Sequence, residues 1–181
     1  MNHYAIHVLT GNEDDYIKKL RPLLGGKRLF APKRMLAIRR HGATRKRLAP
    51  IFPGYVFLEC EDLIADLDTY WAARRTAGFI RFLRDNSSPQ PLSDRDRDLL
   101  LHFMSFGEYA DTSKVSFDEH DKIVVLDGPL KGLEGMIVKV DRRRGRAKVA
   151  LSLYDTGRLI DFGFEAVERI TGRGGQENEV S

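Results

Sequence analysis

The side chains of this sequence that are best placed to do chemistry are clustered cations. Between Asp15 and Glu59 there is no acidic residue, and a second basic cluster surrounds Gly145. The first cluster comprises Lys18, Lys19, Arg21, Lys27, Arg28, Lys33, Arg34, Arg39, Arg40, Arg45, Lys46 and Arg47, and the second comprises Arg142, Arg143, Arg144, Arg146 and Lys148. Clustered positive charge attracts anionic partners, phosphate backbones above all. Solvated surface charge is the alternative for both clusters, but twelve bases without one acid favour nearby nucleic acid.

Residues that catalyse reactions or bind metals show no recognisable arrangement. The five histidines are scattered, and together with the single cysteine, Cys60, they form no metal-binding spacing. The segment GPLKGLEG at residues 128–135 lacks the Gly-Lys-Ser/Thr of a P-loop, and no GxSxG motif occurs. We therefore expect neither an enzyme nor a cofactor or metal site.

The composition is that of an ordinary globular protein. Charged residues make up 31% of the 181 residues and apolar residues 42%, which argues against general disorder. One cysteine excludes an intramolecular disulfide, and no apolar run approaches the roughly 20 residues needed to cross a bilayer. The start MNHYAIHVLT lacks the pattern of a signal peptide. We expect a cytoplasmic monomer without membrane contact.

The elements that must position the first basic cluster follow a β-α-β-β-α-β-α order. Apolar periodicity predicts strands at 4–9 and 79–83, and helices at 13–24, 62–75 and from Ser93 onward. Ser93 and Asp96 form a capping-box pattern that starts the third helix. Two extended arms, 29–40 and 45–58, meet near His41 and Gly42 in a hairpin that is basic on both sides of its tip. This order predicts an α+β domain, with a split β-α-β sheet covered by helices.

The second basic cluster belongs to a segment with a different residue pattern. Short runs rich in β-branched residues, at 122–126, 135–140, 147–153, 159–164 and 167–170, are separated by turn sequences and predict a small five-stranded barrel. We place the N-terminal domain at 1–106, a polar linker at 107–117, the barrel at 118–172 and a disordered tail at 173–181.

Three motifs, in order, resemble the NusG family of transcription elongation factors. They are FPGYVFLE at 52–59, AGFIRFL at 77–83 and DKIVVLDGPLKGLEGMIVKVD at 121–141, and the resemblance covers roughly residues 3–170. It implies an N-terminal NGN domain and a C-terminal KOW domain, the latter a β-barrel similar to the Src-homology-3 barrel. The charge density around Gly145 further resembles that of specialised paralogs of the LoaP kind, which are recruited by an RNA hairpin in the nascent transcript.

The resemblance implies that an aromatic-lined hollow in the NGN domain binds the clamp helices of RNA polymerase. By position, the hollow is expected to involve Phe52, Phe79 or Phe82, and His7, where relatives commonly have an aromatic or other large side chain. The proline-broken run at 50–60 fits this role, because Pro50 and Pro53 disfavour a paired strand and present Phe52 at a rim. Burial in the core is the alternative for these aromatic residues.

The resemblance also implies contacts with nucleic acid and with a ribosomal protein. Arg74 and Arg75 match the place where relatives approach non-template DNA, although they could equally complement a helix end. Leu130 and Leu133 lie in the loop that relatives use to bind NusE, or they cap the barrel core. The remaining nucleic-acid candidates are Arg39, Arg40, Arg45, Lys46, Arg47, Arg142, Arg143, Arg144, Arg146 and Lys148.

Together these features predict a factor that binds RNA polymerase, bridges the DNA channel and promotes transcription through pauses and terminators. The factor would be nucleoid-associated through the polymerase, and its KOW domain would contact RNA or ribosomal protein. A ribosome-associated or general RNA-binding KOW protein is the alternative. In another paralog, RfaH, the C-terminal domain refolds into helices that mask the polymerase site. The corresponding C-terminal segment of this sequence is rich in residues that favour strands, which predicts a stable barrel and no such masking by helices.

Overall fold

The computed structural model of the protein describes residues 1–40, 43–154 and 156–167. Three α-helices lie in these ranges, α1 (Glu13–Leu20), α2 (Leu67–Arg75) and α3 (Asp94–Met104). Eleven strands accompany them in the same ranges: β1 (Asn2–Val8), β2 (Leu29–Phe30), β3 (Lys33–Arg40), β4 (Ala43–Pro50), β5 (Tyr55–Cys60), β6 (Phe79–Phe82), β7 (Ser113–Phe117), β8 (Ile123–Asp127), β9 (Ile137–Asp141), β10 (Arg146–Leu153) and β11 (Thr156–Ala166).

The N-terminal half is built on a four-stranded antiparallel sheet of order β2-β5-β1-β6. Side chains alternate across this sheet, so Tyr4, Ile6 and Val8 pack with α1 and α2, whereas Ala5 belongs to the core on the side of α3. The α+β class predicted from the sequence is confirmed. Because both faces are covered, the central strands β5 and β1 are almost entirely buried.

The helix ends differ from their expected positions for identifiable reasons. Ser93 caps α3 as predicted, since its hydroxyl accepts a hydrogen bond from the Asp96 amide at 3.2 Å. α1 ends at Leu20 and continues as a 3-10 turn over Arg21–Leu23, because Pro22 cannot donate an α-helical hydrogen bond. α2 begins only at Leu67, where the Asp66 carboxylate caps the Thr69 amide at 3.1 Å.

The C-terminal half is a five-stranded sheet of order β8-β7-β11-β10-β9 that forms the KOW barrel. All its pairs are antiparallel except β7 with β11. β7 occupies the last five residues of the expected linker 107–117, and Val115 within it is fully buried. The expected strand 159–164 is part of the longer β11, while 168–170 and the tail 173–181 lie outside the described residues.

Strands β3 and β4 form a separate two-stranded hairpin, whose expected tip at His41 and Gly42 lies outside the described residues. The free edge of β3 is covered by the chain that leads into the barrel. The Met35 amide donates to the Ala110 carbonyl and the Ala110 amide donates to the Lys33 carbonyl, each at 2.8 Å. The hairpin is therefore anchored against the C-terminal half.

We expect Gly128→Ala to destabilise the protein by about 1–3 kcal/mol. Gly128 has a φ of +95°, and an added Cβ would lie 2.7 Å from Cα of Ser113 in β7. Urea unfolding measures the change. Gly135→Ala is the matched control, because nothing lies within 4 Å of its Cβ position and its φ is not left-handed. Equal stability of the two variants would contradict the close approach of β7 to Gly128.

Candidate functional site

Three aromatic side chains, His7, Phe52 and Tyr55, lie on the sheet face opposite α1 and α2, and we call them the aromatic face. His7 pairs with Tyr55 across β1 and β5, and their rings stack with centroids 5.1 Å apart. Phe52 precedes β5 and meets Phe57 edge-on at 5.5 Å and Phe103 of α3 at 6.0 Å. The aromatic face thus brings together two of the predicted polymerase contacts, His7 and Phe52.

A tight turn between Phe52 and Tyr55 holds the aromatic face. Gly54 has a φ of +82°, its carbonyl accepts from the Val8 amide at 2.8 Å, and its amide donates to the Glu13 carboxylate at 2.6 Å. Glu13 also accepts from the Gly11 amide, at 3.0 and 3.1 Å. The sequence indicated only that Glu13 was an acid at a helix start, and its contact with a turn 41 residues away carried no local signal.

The barrel covers the aromatic face. Ile51, Phe52 and Tyr55 face five residues of the β10–β11 pair across a void of only about 10 Å³, namely Leu151, Leu153, Thr156, Arg158 and Ile160. Phe52 is 5% exposed and Tyr55 is 6% exposed. Phe103 stacks on Phe162 of β11, with centroids 5.4 Å apart and 12° between the planes. The segment forms strands rather than helices, as predicted, and these strands cover the aromatic face, a packing that the sequence did not predict.

Polar side chains fix the barrel at both ends of this contact. At one end the buried Arg34 donates to the carbonyls of Pro50 and Asp161, the latter at 2.5 Å, and lies over the ring of Phe162. At the other end the amide of Tyr154 donates to Asp96 at 3.1 Å, and its hydroxyl donates to the Gln90 carbonyl at 3.1 Å. Of these bonds, the three that cross between the two halves join residues 58 to 127 positions apart, which no local pattern reveals.

Arg158 makes the most direct polar contact with the aromatic face. Its guanidinium donates to the Pro53 carbonyl at 3.2 Å and lies 5.3 Å from the centre of the Tyr55 ring. Burial lowers the pKa of His7, and the neighbouring cations Arg81 and Arg158 lower it further. The barrel thus helps to keep His7 neutral.

Phe79 and Phe82 do not join the aromatic face. Phe82 pairs with Ile6 and is 1% exposed in the core beneath α1 and α2, where it stacks on Tyr70 at 5.4 Å. Phe79 packs against the same core. The expectation that Phe82 lines the hollow with Phe52 is therefore corrected: the register of β6 turns it to the opposite side of the sheet.

Arg74 and Arg75 flank a half-exposed Trp71 on α2. The guanidinium groups lie 5.3 and 5.4 Å from the centre of the indole ring, and Arg74 also hydrogen-bonds the hydroxyl of Tyr70. Arg75 is exposed. This cluster offers both cations and an aromatic surface to a partner.

The two basic clusters lie closer together than their separation in sequence suggests. Arg45, Lys46 and Arg47 are exposed on β4, and Arg146 of the barrel donates to the carbonyl of Ala37 in β3 at 3.0 Å. The side chains of Arg39 and Arg40 are outside the description. Three of the barrel cations have acidic partners: Arg142 with Asp121, Arg144 with Asp141, and Lys148 with Asp161.

Leu130 and Leu133 are buried rather than presented to solvent. Leu130 is fully buried and its amide donates to the Ser113 hydroxyl at 2.9 Å. Leu133 is 6% exposed and lines a small cavity with Leu99 and His102 of α3. Both leucines therefore pack in the core in this arrangement. Within the described ranges no helix could span a bilayer, and no group of three potential metal ligands occurs.

Comparison with known proteins gives matches along most of the chain. The family model described as "Transcription termination factor nusG" matches residues 1–101, and the model of the KOW motif matches residues 121–149. The protein from Pseudomonas aeruginosa called "Transcription termination/antitermination protein NusG" is 25% identical over 174 residues, which cover 92% of this chain and 97% of that protein. The protein of the same name from Vibrio cholerae is 27% identical over 177 residues, covering 92% and 94%.

A solved structure shows the same fold. It is described as "Domain interaction in Thermotoga maritima NusG" and aligns with a TM-score of 0.50 at 21% identity, covering 90% of this chain and 93% of that one. Its similarity extends over both halves of the chain.

We expect Arg158→Gln to raise the pKa of His7 toward its ordinary value of about 6.5. Because folding lowers the pKa of His7, the unfolded chain binds a proton at a higher pH than the folded protein does. The free energy of unfolding is therefore highest above pH 6.5 and decreases as the pH falls below it. Titration of the His7 imidazole by NMR in both proteins tests the shift. Lys131→Gln, an exposed change elsewhere on the barrel, should leave it unaltered. An unchanged His7 pKa in Arg158→Gln would show that Arg158 does not lie against the aromatic face.

Proposed function

Because the chain belongs to the NusG family of transcription factors, which are not enzymes, we propose that it is an elongation and antitermination factor that binds RNA polymerase through the aromatic face. In this proposal Phe52, Tyr55 and His7 contact the clamp helices of the polymerase, and the NGN domain bridges the DNA channel. Holding the clamp closed makes elongation more processive, provided that the factor binds the closed clamp better than the open one.

The observation that carries the proposal is the apolar cover on the aromatic face. Leu151, Leu153 and Ile160 of the barrel already pack against Ile51 and Phe52. A surface that binds an apolar patch of its own chain can bind an apolar patch of a partner, such as the exposed side of a helix pair. The polymerase and the barrel then compete for one surface.

Competition has a quantitative consequence for affinity. If only the undocked form binds the polymerase, the apparent affinity falls in proportion to the undocked fraction. Any contact that stabilises docking, such as those of Arg34, Tyr154 and Arg158, therefore weakens polymerase binding. Opening also uncovers Leu133 on the side of α3, which a contact of this loop with NusE requires.

The nucleic-acid contacts belong to the same proposal. Arg74 and Arg75 beside Trp71 are placed to approach the non-template DNA, where cations act on phosphates and an indole can stack on a base. We propose that nucleic acid also contacts the cations of β4 and of the loop around Gly145, namely Arg45, Lys46, Arg47, Arg142, Arg143, Arg144, Arg146 and Lys148. The second candidate, a general RNA-binding KOW protein, rests on the barrel cations alone and requires no aromatic face.

We expect Arg158→Gln to increase affinity for purified RNA polymerase by about 5- to 30-fold, which corresponds to the loss of one or two kcal/mol of docking energy. The substitution removes the hydrogen bond to Pro53 and the cation–π contact with Tyr55. Equilibrium binding to core polymerase measures the change, with Lys131→Gln as the control of unchanged affinity. Weaker binding by Arg158→Gln would contradict competition between barrel and polymerase.

In transcription through an intrinsic terminator, we expect the protein to increase readthrough and Phe52→Ser to abolish the increase. The substitution places a small polar group at the centre of the apolar contact, and circular dichroism and thermal unfolding establish that the variant is folded. Binding of the variant to RNA is measured in parallel. Loss of readthrough with RNA binding retained supports the elongation factor, whereas full readthrough by a folded Phe52→Ser variant would contradict the proposed face.

A further inference from the structure

We infer that the two basic clusters form one binding surface for duplex RNA when the barrel is docked, so that RNA binding opposes exposure of the aromatic face. The surface combines Arg45 and Arg47 of β4 with Arg143 and Arg146 of the barrel, and we call it the composite surface. The functional consequence, that RNA binding opposes polymerase binding, rests on the proposed function, because it assumes that the aromatic face binds the polymerase. The composite surface itself rests on geometry.

A direct contact brings the two clusters together. Arg146 donates to the carbonyl of Ala37 on the outer edge of β3, at 3.0 Å. Ala37 is paired with Lys46 of β4, so β3 alone separates Arg146 from the basic strand. Neighbouring strands lie about 4.8 Å apart. Residues about a hundred positions apart in sequence therefore become neighbours, and they do so only in the docked arrangement.

The register of the hairpin shows which cations face the same way. Ile38 pairs with Arg45, Leu36 with Arg47 and Arg34 with Ala49, without a bulge, so their side chains share one side of the hairpin. Arg34 contacts the barrel from this side, through the Asp161 carbonyl and the ring of Phe162. Arg45 and Arg47 therefore project from the side that is turned to the barrel, and both are exposed.

These cations lack nearby acids. Within the described ranges, no acidic oxygen lies within 4 Å of the charged groups of Arg45, Arg47, Arg143 or Arg146, whereas Arg142, Arg144 and Lys148 do have such partners. Docking also places Arg146 near Arg34: burial is the main cause that lowers the pKa of Arg34 to about 10, Asp161 opposes this shift, and the like charge of Arg146 adds to it. An anionic partner that spans both clusters would relieve this repulsion.

The partner that fits is a double helix of RNA. Neither 31–51 nor 118–153 contains Phe, Tyr or Trp, and the guanidinium of Arg142 lies over the ring of the adjacent Phe117, 3.6 Å from its centre, so the composite surface offers no open aromatic ring on which unpaired bases could stack. Its cations can instead bind phosphates. The cations of β4 and those of the barrel are separated by only one or two strand spacings. This separation matches phosphates that face each other across the narrow major groove of A-form RNA better than phosphates across the roughly 12 Å major groove of B-DNA.

Binding to full-length protein tests the composite surface, with an RNA hairpin of about 12 base pairs and a DNA hairpin of the same sequence as probes. Two double variants, Arg45→Gln with Arg47→Gln and Arg143→Gln with Arg146→Gln, each remove two charges. Lys122→Gln with Lys131→Gln removes two exposed barrel charges elsewhere and is the matched control. Affinity is measured over a series of salt concentrations, together with the number of hairpins bound per chain.

We expect one RNA hairpin per chain, and each double variant should reduce the slope of log affinity against log salt by about 2 and the affinity by on the order of tenfold or more. The control variant should change both much less. Two hairpins per chain, equal losses in the control, or equal or tighter binding of the DNA hairpin would overturn the inference.

The expected effect of RNA, which is to reduce undocking of the barrel, is tested by hydrogen exchange at the Tyr154 amide. This amide donates to the Asp96 carboxylate across the docked contact at 3.1 Å. RNA that binds only the docked form, at ten times its Kd, should slow exchange through undocking by about elevenfold. The Phe57 amide in the central strand β5 is the internal control and should not change. Unchanged or faster exchange at Tyr154 would overturn the opposition. Because readthrough by Phe52→Ser and polymerase binding by Arg158→Gln are measured separately, failure here is distinguishable from failure of the proposed function.

Discussion

The packing of β10 and β11 on the turn that holds Phe52 is the contact on which the arrangement of the whole chain depends. It joins the core of the barrel and the core on the α3 side of the N-terminal sheet into a single apolar cluster. Fully burying one aliphatic or aromatic side chain contributes about 1.5–3 kcal/mol, so opening, which exposes Leu151, Leu153, Ile160 and Phe52 together, costs on the order of several kcal/mol. The docked form is therefore the resting state, and any partner of the aromatic face must compensate for opening it.

The polar bonds around this contact suit an interface that opens and closes. Arg34, Arg146 and Arg158 all donate to backbone carbonyls of the other half, not to buried carboxylates. A carbonyl released from such a bond is readily hydrated, whereas a buried carboxylate that loses its partner is strongly destabilising. These three arginine bonds therefore fix the position of the barrel and can be exchanged for bonds to water when it leaves, whereas the Tyr154 amide bonds a buried carboxylate, that of Asp96, whose release is more costly.

The sequence predicted local features well and long-range ones poorly. The Ser93 cap, the β-rich barrel and the two basic clusters follow from patterns within a few residues. The side of the sheet that Phe82 occupies depends on its register opposite Ile6, and a shift of one residue would reverse it. The position of Glu13 beneath Gly54, the strand β7 in an apparently polar linker, and the docking of the barrel depend on contacts between distant segments, which no periodicity encodes.

Covering the aromatic face with strands has a different consequence from covering it with helices. A barrel that keeps its β structure can leave as a rigid body, so no refolding step limits opening. Undocking, however, exposes two complementary apolar patches at once, Phe52 with Tyr55 on one half and Leu151 with Ile160 on the other. Exposed patches of this kind favour association, and they re-dock unless one of them is occupied. A partner that binds the barrel patch would therefore stabilise the open state further, beyond the effect of a partner bound to the aromatic face.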